Sequence, residues 1–158
     1  MVDYLTKLTK KEIKNIPYFS FDGEEKVCYV YSVYDGDSCS ILFNPIKGDK
    51  GDLEDKKNLN KLKLRLTGID TPEIKTKNEI EKKCAIEVRD WLRNEILYKK
   101  IKVEMFKFDK YGRTLCNIYN LDKSICYNEE MIKKGFAIKY DGGKKLEFNV
   151  NNFLYTLK

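Results

Sequence analysis

From Lys61 to Thr67 the chain alternates strictly, with Leu62, Leu64 and Leu66 on one side and Lys61, Lys63 and Arg65 on the other. A period of two marks a strand with one face in a core and one in solvent. Val27 to Tyr34 is rich in β-branched and aromatic residues and predicts a strand. A turn at Asp35-Gly36-Asp37 leads into a second strand from Cys39 to Phe43, and further strands are expected over 99–108 and 113–119. Ile80, Cys84, Val88, Trp91 and Leu92 recur at helical spacing and predict an amphipathic helix from Asn78 to Leu97. Thr9-Lys10-Lys11-Glu12 has the spacing of a capping box and opens a short helix that stops before Pro17. Another short helix over 127–134 ends at Gly135, a favourable residue just past a helix.

Five strands, a long helix after the third and a short one after the fifth predict an α+β fold. The expected architecture is a five-stranded OB-fold β-barrel with flanking helices. Residues 1–25 read as an N-terminal extension, 26–140 as the domain and 141–158 as a C-terminal tail. Lys47 to Asn60 is polar and mixed in charge, and reads as an insertion loop. If 39–43 and 61–67 pair as a hairpin, Asp37 and Asp70 lie at the same end of the barrel. The 47–60 loop then falls at the other end, about 15–20 Å away for strands rising 3.3 Å per residue.

Charge sharpens this picture. The net formal charge is +6 over 158 residues, and residues 61–113 carry 15 basic against 9 acidic side chains, whereas residues 1–60 carry 9 against 11. A basic middle attracts polyanions, although a solvated lysine surface would look the same. The abundance of Lys, Asn, Ile and Tyr, with only two alanines (Ala85 and Ala137), points to an AT-rich genome. Five cysteines form no C-x-x-C pair and no histidine is present, which argues against a zinc site and for reduced thiols packed as small core residues. The first residues lack the apolar stretch of a secretory signal, and no run of about 18 apolar residues occurs. The expectation is an intracellular, cytoplasmic protein with no membrane partner, monomeric by default.

Three segments carry candidate chemistry: Asp35-Gly36-Asp37-Ser38, Arg65 to Glu73 (Arg-Leu-Thr-Gly-Ile-Asp-Thr-Pro-Glu), and Asp109-Lys110-Tyr111-Gly112-Arg113. Each alone reads equally well as a turn, a strand end and a hairpin tip. An EF-hand is excluded, because Ser40 and Ile46 stand where its turn glycine and final glutamate belong. Together the segments supply what phosphodiester hydrolysis needs. Asp37 and Asp70 offer hard carboxylate oxygens to one hard cation. Glu73 can take a proton from water, a task no histidine is available to perform. Arg65 and Arg113 can grip phosphate oxygens in a bidentate fork.

These segments resemble the signatures of the staphylococcal nuclease family: an Asp-Gly-Asp-Thr turn, an Arg-x-Leu to Asp-Thr-Pro-Glu stretch, and Asp-Lys-Tyr-Gly-Arg, in that order. The resemblance runs from Val27 to Tyr140, with Ser38 in place of the usual threonine. It implies that Asp37, Asp70 and the carbonyl of Thr71 hold calcium, other divalent ions being admitted. It also implies that Glu73 orients or deprotonates the attacking water and that Arg65 and Arg113 bind the phosphate. Tyr111 would lie beside a nucleotide phosphate, and Tyr140 would stack on a base or serve as a core or surface tyrosine. Asn128, Glu129 and Gly135 match a structural helix. The implied activity is calcium-dependent hydrolysis of DNA and RNA with little sequence preference, leaving 3′-phosphate ends. The alternative is an OB-fold nucleic-acid-binding module that does not cut. Intracellular or viral members of the family, rather than secreted ones, are the nearer comparison.

Overall fold

The computed structural model describes residues 7–46, 53–149 and 151. Five strands close into a barrel in the order β1 (Glu25–Val33), β2 (Ser38–Phe43), β3 (Asn60–Leu66), β6 (Thr114–Tyr119) and β5 (Lys100–Phe108). Three helices are described with them: α1 (Lys10–Asn15), α2 (Glu79–Ile96) and α3 (Tyr127–Lys133). The α+β barrel expected from the pattern is therefore the one found. Thr9 caps α1 with both halves of the capping box in place, and Gly135 follows α3 with a φ of 71°.

The leucine face of β3 points inward as the alternation requires. Leu64 and Leu66 pack with Val30, Ile41, Met105 and Ile118 in one continuous core. Helix α2 covers this core with Cys84, Ala85, Val88, Leu92 and Ile96. Burying each such aliphatic side chain contributes about 1.5–3 kcal/mol. Ile80, expected on that face, is exposed, since the buried stripe begins one turn later at Cys84. Trp91 lies at the edge of the stripe and fills the gap to Tyr127 and Phe136, joining α2 to α3. Cys28, Cys39, Cys84 and Cys116 are buried free thiols, and burial raises each of them above the usual thiol range. They behave as small core residues.

Every barrel pairing is antiparallel except β3 with β6, where Leu64, Arg65 and Leu66 face Thr114, Leu115 and Cys116. A parallel pair needs a long crossover, here supplied by the chain from β4 (Ile69–Asp70) through α2 and β5. Two side chains stitch this seam, the first being Cys116, whose Sγ donates to the Arg65 carbonyl at 3.6 Å, and the second Asn128. Asn128 of α3 accepts from the Ile118 N–H at 3.0 Å and donates to the carbonyls of Thr67 at 3.0 Å and Cys116 at 3.1 Å. The β2–β3 hairpin has Ser38 opposite Arg65 at one end and Phe43 opposite Asn60 at the other. The 47–60 insertion thus leaves from the end remote from Asp37, although residues 47–52 lie outside the described residues. A two-stranded ribbon of β4 and β7 (Ile138–Lys139) was not expected. Among the described residues no helix is long and apolar enough to cross a membrane.

Asn128→Ala would take this partner from the buried Ile118 N–H and the half-buried Thr67 carbonyl, while the Cys116 carbonyl keeps the Thr67 N–H at 2.9 Å. An equilibrium denaturant melt should show a loss of about 2–4 kcal/mol, from stranded groups costing 1–3 kcal/mol each. A loss below 1 kcal/mol would mean that the seam holds without it.

Candidate functional site

Three chain segments meet where the hairpin register puts Asp37 and Arg65 side by side. The first is the turn between β1 and β2. Asp35 Oδ1 accepts from the Asp37 N–H at 3.2 Å and from Ser38 Oγ at 2.6 Å, the local bonding that makes aspartate a turn former. The Asp37 carbonyl accepts from the Leu66 N–H at 2.8 Å, fixing the turn to the end of β3. Gly36 lets the turn sit tightly against its neighbours. A Cβ there would lie 2.6 Å from Val88 Cγ1 and 3.0 Å from Thr71 Oγ1.

The second segment is the end of β3 with β4. Arg65 Nη2 lies 3.1 Å from Asp37 Oδ2 and 3.6 Å from Asp70 Oδ1. The guanidinium also donates to the carbonyls of Leu66 at 2.6 Å and Ile69 at 3.1 Å, so its orientation is fixed from four directions. Asp37, Asp70 and Thr71 are all buried, and the Thr71 N–H points at Asp37 Oδ2 from 3.4 Å. Burial pushes the Asp37 carboxyl up to about 7; Arg65 pulls the other way, while Asp35 and Asp70 add to the rise. Asp70 is also raised, by burial first, against the opposing pull of Lys145 and Arg65. Negative charge at this spot is thus only partly compensated.

Lys145 forms the third segment with its neighbours. Its Nζ lies 3.3 Å from Asp70 Oδ1 and pairs with Glu73 Oε1. Partial burial works against this ammonium, yet Glu73 and Asp70 hold its pKa above the usual lysine value. Asp70, Thr71 and Pro72 line one wall of a pocket, and Lys145, Phe148 and Asn149 line the other. Glu73 itself is exposed, but its backbone N–H donates to Glu81 Oε1 at 3.1 Å, and Glu81 Oε2 accepts from Thr76 Oγ1 at 2.9 Å. Helix α2 thereby anchors the loop that presents Glu73.

Arg113 and Tyr111 belong to a separate group on the β5–β6 hairpin. Asp109 Oδ1 accepts from the N–H groups of Tyr111 at 2.8 Å and Arg113 at 2.9 Å, and its Oδ2 accepts from Arg113 Nε at 2.8 Å. Partial burial raises Asp109, but these bonds outweigh it and hold the carboxyl below its usual value. The Arg113 guanidinium lies 5.4 Å from the centre of the Tyr111 ring, which is 71% exposed. Its Nη atoms have no hydrogen-bond partner among the described residues, in contrast to those of Arg65. The β3–β6 pairing of Arg65 with Leu115 puts Arg113 at the same end of the barrel as Arg65. Tyr140 donates from its hydroxyl to the Gly143 carbonyl at 2.8 Å and from its N–H to the Gly68 carbonyl at 3.0 Å.

The structure therefore gathers Asp37, Arg65 and Asp70 in one ion-paired cluster, with the Thr71 N–H at Asp37 and Glu73 joined to Asp70 through Lys145; of these residues Asp70 and Thr71 line the pocket, and Arg113 and Tyr111 lie on the β5–β6 hairpin. Sequence reasoning did not single out Lys145, Glu81 or Asp109 for these roles. Asp109 had a visible signal, its spacing of four from Arg113; Lys145 had none. Among the described residues no group of three or more acidic or cysteine side chains forms a ready metal cage. The Asp37 and Asp70 carboxylates and the Thr71 carbonyl fit a hard cation in kind. They supply fewer than the 6–8 oxygens that calcium takes, so water or substrate must complete the set. The incomplete neutralisation of Asp37 and Asp70 is what such a cation would relieve.

Residues 63–155 match the family described as staphylococcal nuclease homologue. The chain is 32% identical over 96 residues to the probable endonuclease LCL3 of Yarrowia lipolytica, covering 60% of this chain and 42% of the relative. With the protein of the same name in Candida glabrata it shares 32% over 109 residues, 67% of this chain and 42% of the relative. With the endonuclease Htp3 of Saprolegnia parasitica it shares 27% over 132 residues, 81% and 63% respectively. The chain thus spans less than two thirds of the length of each of these relatives.

Gly36→Ala tests how the site is seated. Its methyl would collide with Val88 and Thr71, and the variant should lose about 1–3 kcal/mol in a thermal or denaturant melt, the usual cost of overpacking. In the Gly36→Ala/Val88→Ala double variant the glycine change should cost less than it does alone. Simple additivity would show that the close approach is not what holds the turn.

Proposed function

The chain belongs to the staphylococcal nuclease family, and on that premise we propose that it is a calcium-dependent nuclease hydrolysing phosphodiester bonds of DNA and RNA. One observation carries the reading. Asp37, Arg65 and Asp70, drawn from separate segments, meet in a single ion-paired cluster beside Glu73. The names of the relatives, probable endonuclease and endonuclease, support it.

In this reading Asp37, Asp70 and the Thr71 carbonyl would hold the cation, and the chemistry it would supply there is Lewis-acid withdrawal of charge from a phosphate oxygen. The chain's own groups do the rest. Glu73, exposed and linked to Asp70 through Lys145, accepts the proton of the attacking water at a carboxylate oxygen. Arg65 and the Nη atoms of Arg113, which are without a partner among the described residues, donate to the non-bridging phosphate oxygens, where charge grows as the phosphorus becomes five-coordinate. Tyr111 lies over Arg113 and flanks the nucleotide, and Tyr140 stands beyond the β4–β7 ribbon as a base contact. The 5′ P–O bond breaks and the product carries a 3′-phosphate. Lys145 must leave Asp70 and Glu73 before either acts, because an ammonium on Glu73 weakens it as a base.

Incubation of labelled single-stranded DNA or RNA with millimolar calcium should give fragments ending in 3′-phosphate, and a chelator should stop the reaction. Binding without cutting would favour the non-catalytic module instead. Glu73→Ala should lower the rate by about 10²–10⁴, the range for general-base catalysis. Arg113→Ala should cost about 3–4 kcal/mol in the transition state. Near-normal turnover in either folded variant would remove that residue's role. Lys145→Ala should let calcium raise the melting temperature at concentrations about 2–5-fold lower, as expected for loss of an exposed ion pair worth 0.5–1 kcal/mol. An unshifted calcium titration would show that Lys145 does not compete for the site.

A further inference from the structure

We propose that Glu81, in the first turn of α2, is a positioning residue for the cleavage reaction, an inference that deepens the nuclease reading and rests on it for the role of Glu73. Glu81 fixes the backbone of Glu73 and so sets where the Glu73 carboxylate meets the attacking water.

Glu81 is the third residue of α2, after the capping residue Asn78. A glutamate at that position ordinarily turns back to the N–H of the capping residue and closes a capping box. Helix α1 shows the ordinary case in this same chain, where Glu12 Oε2 accepts from the Thr9 N–H at 2.7 Å. Helix α2 departs from it. The Asn78 N–H is taken by Thr76 Oγ1 at 3.1 Å, and Asn78 Oδ1 accepts from the N–H groups of Ile80 at 3.0 Å and Glu81 at 3.1 Å. The start of the helix is thus satisfied without the Glu81 carboxylate, which reaches back eight residues instead. One oxygen accepts from the Glu73 N–H and the other from the Thr76 hydroxyl.

The segment it reaches has little else to hold it. Among the described residues, 72–77 belong to no strand or helix and make no hydrogen bond between backbone groups. Lys75 Nζ lies 6.0 Å from the centre of the Tyr34 ring, and Lys145 pairs with the Glu73 carboxylate. The Lys145 contact is made at the group that must take the proton, so it has to be given up before the reaction. Glu81 holds Glu73 at its backbone instead, where tie and chemistry do not compete. Its charge makes the bond stronger than one to a neutral acceptor. Helix α2 is seated on the barrel core through Cys84, Val88 and Leu92, so the tie refers Glu73 to the framework that carries Asp37 and Arg65.

The test pairs amide hydrogen exchange, measured without calcium, with turnover of labelled single-stranded DNA in saturating calcium. Glu81→Gln keeps the length and an acceptor oxygen, whereas Glu79→Ala removes the other acidic residue of the first turn, which is exposed, and serves as control. Exchange of the barrel amides reports folding of each variant. In Glu81→Ala the Glu73 amide should exchange at least about tenfold faster, as for loss of a bond to a charged acceptor, and it should stay protected in Glu81→Gln and Glu79→Ala. Glu81→Ala should lower kcat about 10–100-fold with KM within about twofold, since a misplacement near 1 Å costs up to about 10²-fold, and Glu81→Gln should restore most of it. In a Glu73→Ala background the same Glu81→Ala change should alter kcat by less than about twofold, because nothing is left to position. Full additivity of the two changes, an equal loss in Glu79→Ala, no recovery in Glu81→Gln, or an unchanged Glu73 amide in Glu81→Ala overturns the assignment. Cutting that depends on Glu73 and ignores Glu81 leaves the nuclease reading standing without the tie. No cutting by the wild type removes the nuclease reading and the positioning role together, whatever the exchange shows.

Discussion

Two carboxylates, Asp37 and Asp70, are buried at one end of the barrel with a single guanidinium between them. Charge removed from water is costly unless it is paired and hydrogen-bonded, so this cluster constrains everything around it. Arg65 must be held in place, and the carbonyls of Leu66 and Ile69 hold it. Asp37 must arrive at the end of the hairpin, and the Ser38–Arg65 register with the Asp35 turn delivers it there. Asp70 must turn back toward Arg65, and the β4–β7 ribbon fixes that short segment. The Asn128 stitch then keeps β3 and β6 together, so that Arg65 and the start of β6 stay at a common end.

Much of this follows from patterns that one segment carries alone. The alternation in β3 states which residues face the core, and hairpin pairing then places Asp37 and Asp70 at one end. The capping box of α1 and the glycine after α3 are similarly local, since their hydrogen bonds close within a few residues. The β4–β7 ribbon was not legible because two residues per strand cannot show a period. Ile80 misled because helical spacing says which residues share a face, not where along the helix the core begins. For Trp91 the same spacing held, but its ring serves the junction of two helices rather than the barrel.

Lys145 was illegible for a different reason. It lies in a polar run with no periodicity, and its partners Asp70 and Glu73 are more than seventy positions earlier. Ion pairs between distant residues leave no trace in composition, because any of the many lysines could have made them. Glu81 is a milder case. Its place in the first turn of α2 is explained by the helix dipole alone, and nothing in the sequence says that it also receives the Glu73 N–H.

The two arginines, although read from the sequence as a pair, differ in what holds them. Arg65 spends its donors on two carboxylates and two carbonyls, so it fixes the geometry of the acid cluster before any ligand arrives. Arg113 is held through Nε by Asp109 and backed by Tyr111, which leaves the planar end of its fork open. A lysine could neutralise Asp37 and Asp70 in place of Arg65, but it could not also reach Leu66 and Ile69 from a fixed plane. At 113 a lysine would lose the division of labour within one side chain, where one nitrogen anchors and two remain for a ligand. Arg65 is thus suited to positioning as well as contact, and Arg113 to meeting charge that appears only when substrate is present. Lys145 completes the balance from the other side of the pocket, compensating Asp70 and Glu73 through a side chain that is nearly half exposed and therefore free to withdraw.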